Sequence, residues 1–297
     1  MDHRRTLAAL LIGFAAMAAA PAGDVPLREA RWIAADQRVA ALIRPLAACQ
    51  RPAADTATQR LVDLGELAFR TPLLLGGQAA RAGLSCNSCH VNGRDNPGFS
   101  FPGVSGAPGT ADVTTSILSS HRGDGQFNPK RIPDLALDPP IVAVDADDRA
   151  LKRFIRGLIV EEFDGPEPSP DTLVGLAEFV RHQGTTDCAR RAPVLATSSD
   201  ETLLIRKALA IAASDEHRTS LGLMAARAAL GRLHERYVGL AREQAAIVGF
   251  DEKLAARQRG TSSEVDLEKA LNQLSAMLAR AETRSLYNSR RLAKALK

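Results

Sequence analysis

Apolar residues in this chain recur at three- and four-residue intervals, with no sustained alternation at every second position. That is the period of helices rather than strands, and with aromatics at only 4% of residues it predicts a mostly α fold. Residues 27–49 carry Leu27, Ala30, Ala34, Leu42, Ile43 and Leu46 around Trp32, which predicts one or two amphipathic helices with a kink at Pro45. Past a Pro/Ala/Thr linker at 52–58, Leu61, Leu64, Gly65, Ala68 and Phe69 share one helical face. Glycine inside a helix costs about 1 kcal/mol against alanine, so close packing of another helix at Gly65 is the expected compensation. Leu151, Phe154, Ile155, Leu158 and Ile159 mark a further helix over Asp147–Val160, stopped by the turn at 164–170. Ser169 is placed to cap the next one, with Pro170 at its first position and Leu173, Leu176, Ala177, Phe179 and Val180 on its apolar face; Gly184 ends it.

Residues 194–297 read as a different module. Ser198 and Glu201 form a capping box ahead of Leu204, Ile205, Ala208, Leu209 and Ala212, and Ser214-Asp215-Glu216 caps a longer helix. From Leu223 a heptad seam runs through Ala226, Leu230, Leu233, Tyr237, Leu240 and Gln244 to Ile247. A loop is expected at 249–260, after which Thr261 and Glu264 open a second seam of Leu267, Leu271, Leu274, Leu278 and Ala281, giving an antiparallel, coiled-coil-like helical hairpin. The end of the chain sets Arg280, Arg284, Arg290, Arg291, Lys294 and Lys297 against one acid, Glu282. This is either a solvated, frayed helix end or a docking tail for an acidic partner or an anionic membrane surface. His217 and His234 are expected on the surface of the hairpin, with no metal.

The chemistry lies between these regions. Cys86-Asn87-Ser88-Cys89-His90 is C-x-x-C-H, the attachment signal of c-type haem. One helical turn presents two thiols to the two vinyl groups of a haem, and the adjacent imidazole then lies under the iron as the proximal ligand. A thioredoxin-like redox pair and the start of a zinc site are the alternatives. The redox pair wants a strand before it, whereas Gly76, Gly77 and Gly83 flank this motif; the zinc site wants a fourth ligand nearby, and no other Cys or His falls between Cys49 and His121. Residues 92–112 hold five glycines and three prolines, and 121–135 is again rich in turn residues. Long irregular segments in a compact domain are usually functional, and here their natural role is to wall the haem.

The start of the chain supplies an address. Asp2-His3-Arg4-Arg5, an apolar run from Leu7 to Ala20 and the small-residue site Ala20-Pro21-Ala22 read as a removable signal peptide, residues 1–22. The mature protein is then expected in the periplasm, where c-type haems are fitted. Without that leader 36 basic and 33 acidic residues remain, a balance that does not point to nucleic acid. Cys49 and Cys188 are the cysteines left over, and in an oxidising compartment they invite a disulfide, the alternative being two buried free thiols.

Leu61–His182 resembles a class I-type cytochrome c domain, and within that class it is similar to the bacterial dihaem cytochrome c peroxidase superfamily. The resemblance rests on Gly65 and Phe69 in the first helix, Leu74, Gly76 and Gly77 ahead of the haem motif, Ile132-Pro133-Asp134-Leu135 beyond it, and Leu176-Ala177-Glu178-Phe179-Val180 in the last helix. It implies that the first and last helices cross at Gly65 and Phe179. It also implies a cytochrome domain at 59–193, after an N-terminal helical segment at 23–58. Two departures matter. Members of that superfamily carry two haems and this chain has one motif, so peroxidase activity does not carry over. Electron-transfer members place a methionine in the loop after the motif, and none occurs between Met17 and Met224. His121 is then the candidate distal ligand, the alternative being a surface histidine bonded to its neighbours. His182 is expected to face solvent, and Met224 reaches the iron only if the C-terminal module folds over it. Three functions follow: a periplasmic monohaem electron-transfer protein serving a redox partner, a peroxidase-type enzyme with an open distal face, and a non-redox haem-containing adaptor or sensor.

Overall fold

The computed structural model describes residues 26–297 except 116, 138–147, 191, 215 and 262–263, so the signal peptide expected at 1–22 lies outside it. The described chain is mostly helical, as its apolar period predicts. No helix among the described residues is long and apolar enough to cross a membrane. The N-terminal part is less regular than expected: a 3-10 turn, Arg28–Trp32, precedes a short helix, α1 (Arg38–Ile43). The chain has left α1 before Pro45, so proline ends no helix there.

Helix α2 (Thr56–Phe69) begins inside the stretch expected as linker. Asp55 makes the difference: its carboxylate accepts from Thr58 N at 2.9 Å and satisfies one of the free donors of the first turn. The helix buries two faces. Val62, Ala68 and Phe69 enter one core with Leu84, Phe99, Ile159 and Leu176, while Leu64 and Leu67 enter a second with the C-terminal helices. A helix apolar on two sides belongs between layers, and α2 joins the two halves of the molecule.

Two short helices, α3 (Gly77–Ala82) and α4 (Cys86–Cys89), lead into the irregular region. That region contains a two-residue antiparallel ladder, β1 (Thr110–Ala111) against β2 (Lys130–Arg131). Helix α5 (Asp148–Gly157) runs into a π turn at Leu158–Glu162. Helix α6 (Pro170–Arg181) starts as expected, with Pro170 first and Ser169 Oγ accepting from Thr172 N at 3.2 Å. Helices α2 and α6 cross backbone to backbone. A Cβ on Gly65 would lie 2.0 Å from Gly175 O and 2.6 Å from Phe179 Cβ, so only glycine admits this approach. Phe69 and Phe179 pack beside it with ring centroids 4.9 Å apart.

The C-terminal third is a helical array rather than one hairpin: α7 (Ser198–Ser214), α8 (Glu216–Arg236), α9 (Ala241–Gln258), α10 (Glu264–Ala281) and α11 (Ser289–Ala295). A reversal that the heptad pattern does not predict falls at Tyr237–Leu240, where Gly239 adopts φ +78°, while the loop expected at 249–260 begins only at Arg259: α9 runs straight through Gly249, and α10 opens at Glu264. The seam residues Leu223, Ala226, Leu230, Leu233, Tyr237 and Ile247 are all buried, so the heptad register continues across the break and conceals it. Two caps also move. Thr197 N donates to the Asp200 carboxylate at 2.8 Å, while Ser198 N donates to Glu282 at 2.7 Å across the array. Thr261 Oγ1 donates backward to Ala256 O at 2.9 Å.

The basic end is not frayed. Leu286 and Leu292 are buried with Leu27, Ala30, Ile33, Leu42 and Ile43, closing the C-terminus on the N-terminal segment. Arg280, Arg284, Arg290, Arg291, Lys294 and Lys297 stay exposed.

Lys207 of α7 pins α2 by pairing with Asp63 at 2.9 Å and Glu66 at 2.7 Å. Burial alone would raise the Glu66 carboxyl, but Arg70 and Lys207 outweigh it and hold it below its ordinary 4.5. A carboxyl lowered by folding contributes stability that is complete above its unfolded pKa and is lost as pH falls through the folded one. Glu66→Gln is therefore expected to be less stable than the parent at pH 7 and to lose less stability on acidification to about pH 3, read by urea denaturation at both values.

Candidate functional site

A capping box builds the turn that carries the motif. Ser85 N donates to Ser88 Oγ at 3.0 Å and the Ser85 side chain accepts from the Ser88 backbone. So short a helix needs that reciprocal cap, because nucleating one turn is unfavourable by itself. Cys86 and Cys89 stand one turn apart, both free of disulfides, and His90 leaves the helix at its C-cap.

The imidazole of His90 is oriented from the far end of the irregular region. Its Nδ1 lies 3.0 Å from the carbonyl oxygen of Pro133. A carbonyl only accepts, so Nδ1 carries the proton and the lone pair stays on Nε2, which has no hydrogen-bond partner among the described residues. Burial lowers the His90 pKa, outweighing the Pro133 carbonyl, Asp134 and Asp95, which leaves the ring neutral at pH 7. Burial likewise pushes the Cys86 thiol up to about 11 and the Cys89 thiol up to about 12, with Cys86 adding to the latter. All three side chains nonetheless remain partly accessible.

The surroundings of the motif are apolar. Phe69 lies 6.4 Å from the His90 ring, and the partly exposed Phe101, Leu135, Val160, Phe163 and Val180 pack on the same core as the two cysteines. The glycine-rich segment is stitched by Asp112, buried, which accepts from Thr114 Oγ1 at 2.8 Å and Asn128 N at 3.0 Å.

This donor set bears differently on the three readings of the motif. A thioredoxin-like pair needs a thiolate of lowered pKa, and both thiols here are raised. Among the described residues no three Cys, His, Asp or Glu side chains converge in a way that could hold a bare metal ion. A haem asks less of the protein: two thiols on one turn and one axial nitrogen with a free lone pair, which Cys86, Cys89 and His90 Nε2 provide. On the folded apo-protein, iodoacetamide is expected to alkylate Cys86 and Cys89 at least about tenfold more slowly at pH 8 than a model cysteine peptide, read by mass spectrometry.

No protein family, curated protein or solved structure matches this chain.

The remaining site expectations divide. Cys49 and Cys188 are joined in a disulfide with Cα atoms 5.6 Å apart, across 139 residues of sequence. His121 sits apart from the motif: its side chain is 65% exposed, and its Nδ1 lies 2.9 Å from Asp164 Oδ1 and 3.2 Å from Ser120 Oγ. None of its partners belongs to the Cys86–His90 turn. His182 is half-buried rather than solvent-facing, its Nδ1 2.8 Å from Glu178 O. Met224 lines a cavity of about 1060 Å³ between the N-terminal segment and the C-terminal helices, one that meets Asn87, Ser88 and Val91 but not Cys86, Cys89 or His90. His234 is half-buried against Gln244, and the side chain of His217 lies outside the described residues.

Sequence reasoning missed Arg94. Its side chain and that of Asp134 are each 9% exposed, and Arg94 Nε lies 2.8 Å from Asp134 Oδ2. A lone Arg-Asp in a turn-rich stretch reads as solvated; only the apolar residues flanking it, Phe99 and Phe101, hint at burial.

Proposed function

We propose that residues 59–193 form a class I-like cytochrome c domain and that the protein is an exported monohaem c-type cytochrome transferring electrons in the bacterial periplasm. The observation that carries this is the His90–Pro133 hydrogen bond, which leaves the lone pair on Nε2 and orients the ring beside two free thiols. Cys86 and Cys89 would hold the haem through thioethers and His90 Nε2 would be its proximal ligand; the bound iron supplies one-electron chemistry. The apolar side chains packed beside the motif would limit water at the bound group, and the neutral imidazole would bind it without first losing a proton. Redox proteins are the partners, and the exposed Arg280, Arg284, Arg290, Arg291, Lys294 and Lys297 favour one with an acidic face.

A second reading, a peroxidase-type enzyme with an open distal face, is favoured by one observation: His121 is tied to Asp164 rather than to the motif. Absorption and resonance Raman spectra of protein matured with haem c decide between them. Six-coordinate low-spin iron that turns high-spin in His121→Ala supports electron transfer through two histidines. High-spin iron that binds carbon monoxide when reduced and consumes peroxide supports the enzyme. Protein that emerges from maturation without covalent haem removes both.

A further inference from the structure

We infer that Arg94 and Asp134, anchored on the Cys49–Cys188 disulfide, are positioning residues that hold the Pro133 carbonyl against His90 and thereby tune the iron. The inference rests on the haem reading and adds a control element to it. Arg94 follows His90 by four residues and Asp134 directly follows Pro133. The Arg94–Asp134 pair therefore closes the same long loop that the His90–Pro133 hydrogen bond closes, one step further out.

The pair does not float. Arg94 Nη1 donates to Cys188 O at 3.4 Å and lies 3.5 Å from Cys49 Sγ, while Asp134 Oδ1 also accepts from Ala136 N at 2.9 Å. Ala136, Cys49 and Cys188 form a small buried cluster of their own. The disulfide is the rigid end of a chain of contacts, Cys188 to Arg94 to Asp134, that finishes one residue beyond the Pro133 carbonyl bonded to His90. A buried ion pair contributes little net stability compared with apolar packing, so its worth here lies in fixing one geometry. The fork of arginine suits it to reach the carboxylate and the Cys188 carbonyl together, which lysine cannot do.

The chemistry sets the direction. A hydrogen bond from Nδ1–H to a carbonyl makes the imidazole a stronger donor to iron and favours the ferric state. Loosening the clamp should weaken that bond and raise the reduction potential, with His90 still bound. The test is the Cys49→Ala/Cys188→Ala variant beside the parent, both with haem attached. Expected are an upward shift in midpoint potential and exchange of the His90 Nδ1–H about tenfold faster by NMR, the equilibrium worth of one hydrogen bond. Arg94→Lys should move both readings the same way and less far. Tyr237→Phe, which removes a hydroxyl bonded to Leu278 O at 2.7 Å in the C-terminal array, should move neither. Unchanged potential and exchange in a folded, haem-bearing Cys49→Ala/Cys188→Ala protein would overturn the clamp, as would equal shifts in Tyr237→Phe. If the disulfide variant does not fold, Asp134→Asn must show the faster exchange instead, and its failure to do so has the same force. A parent that takes up no haem refutes the cytochrome reading alone. The clamp is then still read on the apo-protein, where ¹⁵N shifts must report His90 protonated at Nδ1 in the parent and a mixture of tautomers in Asp134→Asn.

Discussion

Denatured and run through mass spectrometry after maturation, the parent protein is expected to retain one haem per chain, and the Cys86→Ala/Cys89→Ala variant none. Each thiol adds across a vinyl double bond: sulfur bonds to one carbon and the thiol hydrogen ends on the other, so no atom is lost and the mass gained is that of one intact haem. Either single variant keeps one sulfur and should retain haem through one bond. His90→Ala asks a different question, because it leaves both thiols in place and removes the axial nitrogen that Pro133 orients. A His90→Ala protein with attached haem and the parent's spectrum would show that the iron is held from elsewhere. The raised thiol pKa values add a temporal condition. At pH 7 a thiol of pKa about 11 is ionised to roughly one part in ten thousand, so attachment is expected to be efficient on the unfolded chain and poor on the folded apo-protein.

What could be read in advance follows the range of the interaction. Ser169 and Pro170 start α6 through contacts within four residues, and the motif itself spans five, so both are legible. Gly65 is legible for another reason: a glycine on the buried face of a helix is costly unless another backbone needs the room, and Gly175 does. Cys49 and Cys188 emerge as the pair left over once the haem motif has claimed the other two. By contrast, Pro133 and His90 meet across 43 residues of turn-rich chain in which no period records who faces whom. The same holds for Arg94 and Asp134, 40 residues apart. The break at Gly239 is hidden for the opposite reason, that the pattern is too good: Leu233, Tyr237 and Leu240 keep the heptad spacing because the packed face turns with the chain. Gly249, taken as a loop residue, lies on the partly exposed side of α9 with nothing within 4 Å of a Cβ placed there.

That last contrast gives the strongest stability test, because one substitution should act with opposite signs at two helical glycines. Gly65→Ala puts a methyl group 2.0 Å from Gly175 O and 2.5 Å from its carbonyl carbon, and these are backbone atoms that no rotamer change can move aside. Helices α2 and α6 must separate, and α2 is the element both cores share: Val62, Ala68 and Phe69 are drawn from one and Leu64 and Leu67 from the other. Overpacking usually costs 1–3 kcal/mol, and with a shared helix displaced the loss should reach about 3 kcal/mol or more. Gly249→Ala meets no atom, keeps an ordinary helical backbone and restricts the unfolded chain, so it should stabilise by about 0.4–1 kcal/mol. Urea denaturation of the two variants beside the parent measures both. Gly65 also sits on the helix that carries Phe69 to the His90 ring, so Gly65→Ala should broaden the haem spectrum where Gly249→Ala leaves it unchanged. A Gly65→Ala protein as stable as the parent would mean that α2 and α6 do not touch at this crossing, and the placement of Phe69 beside His90 would have to be redrawn.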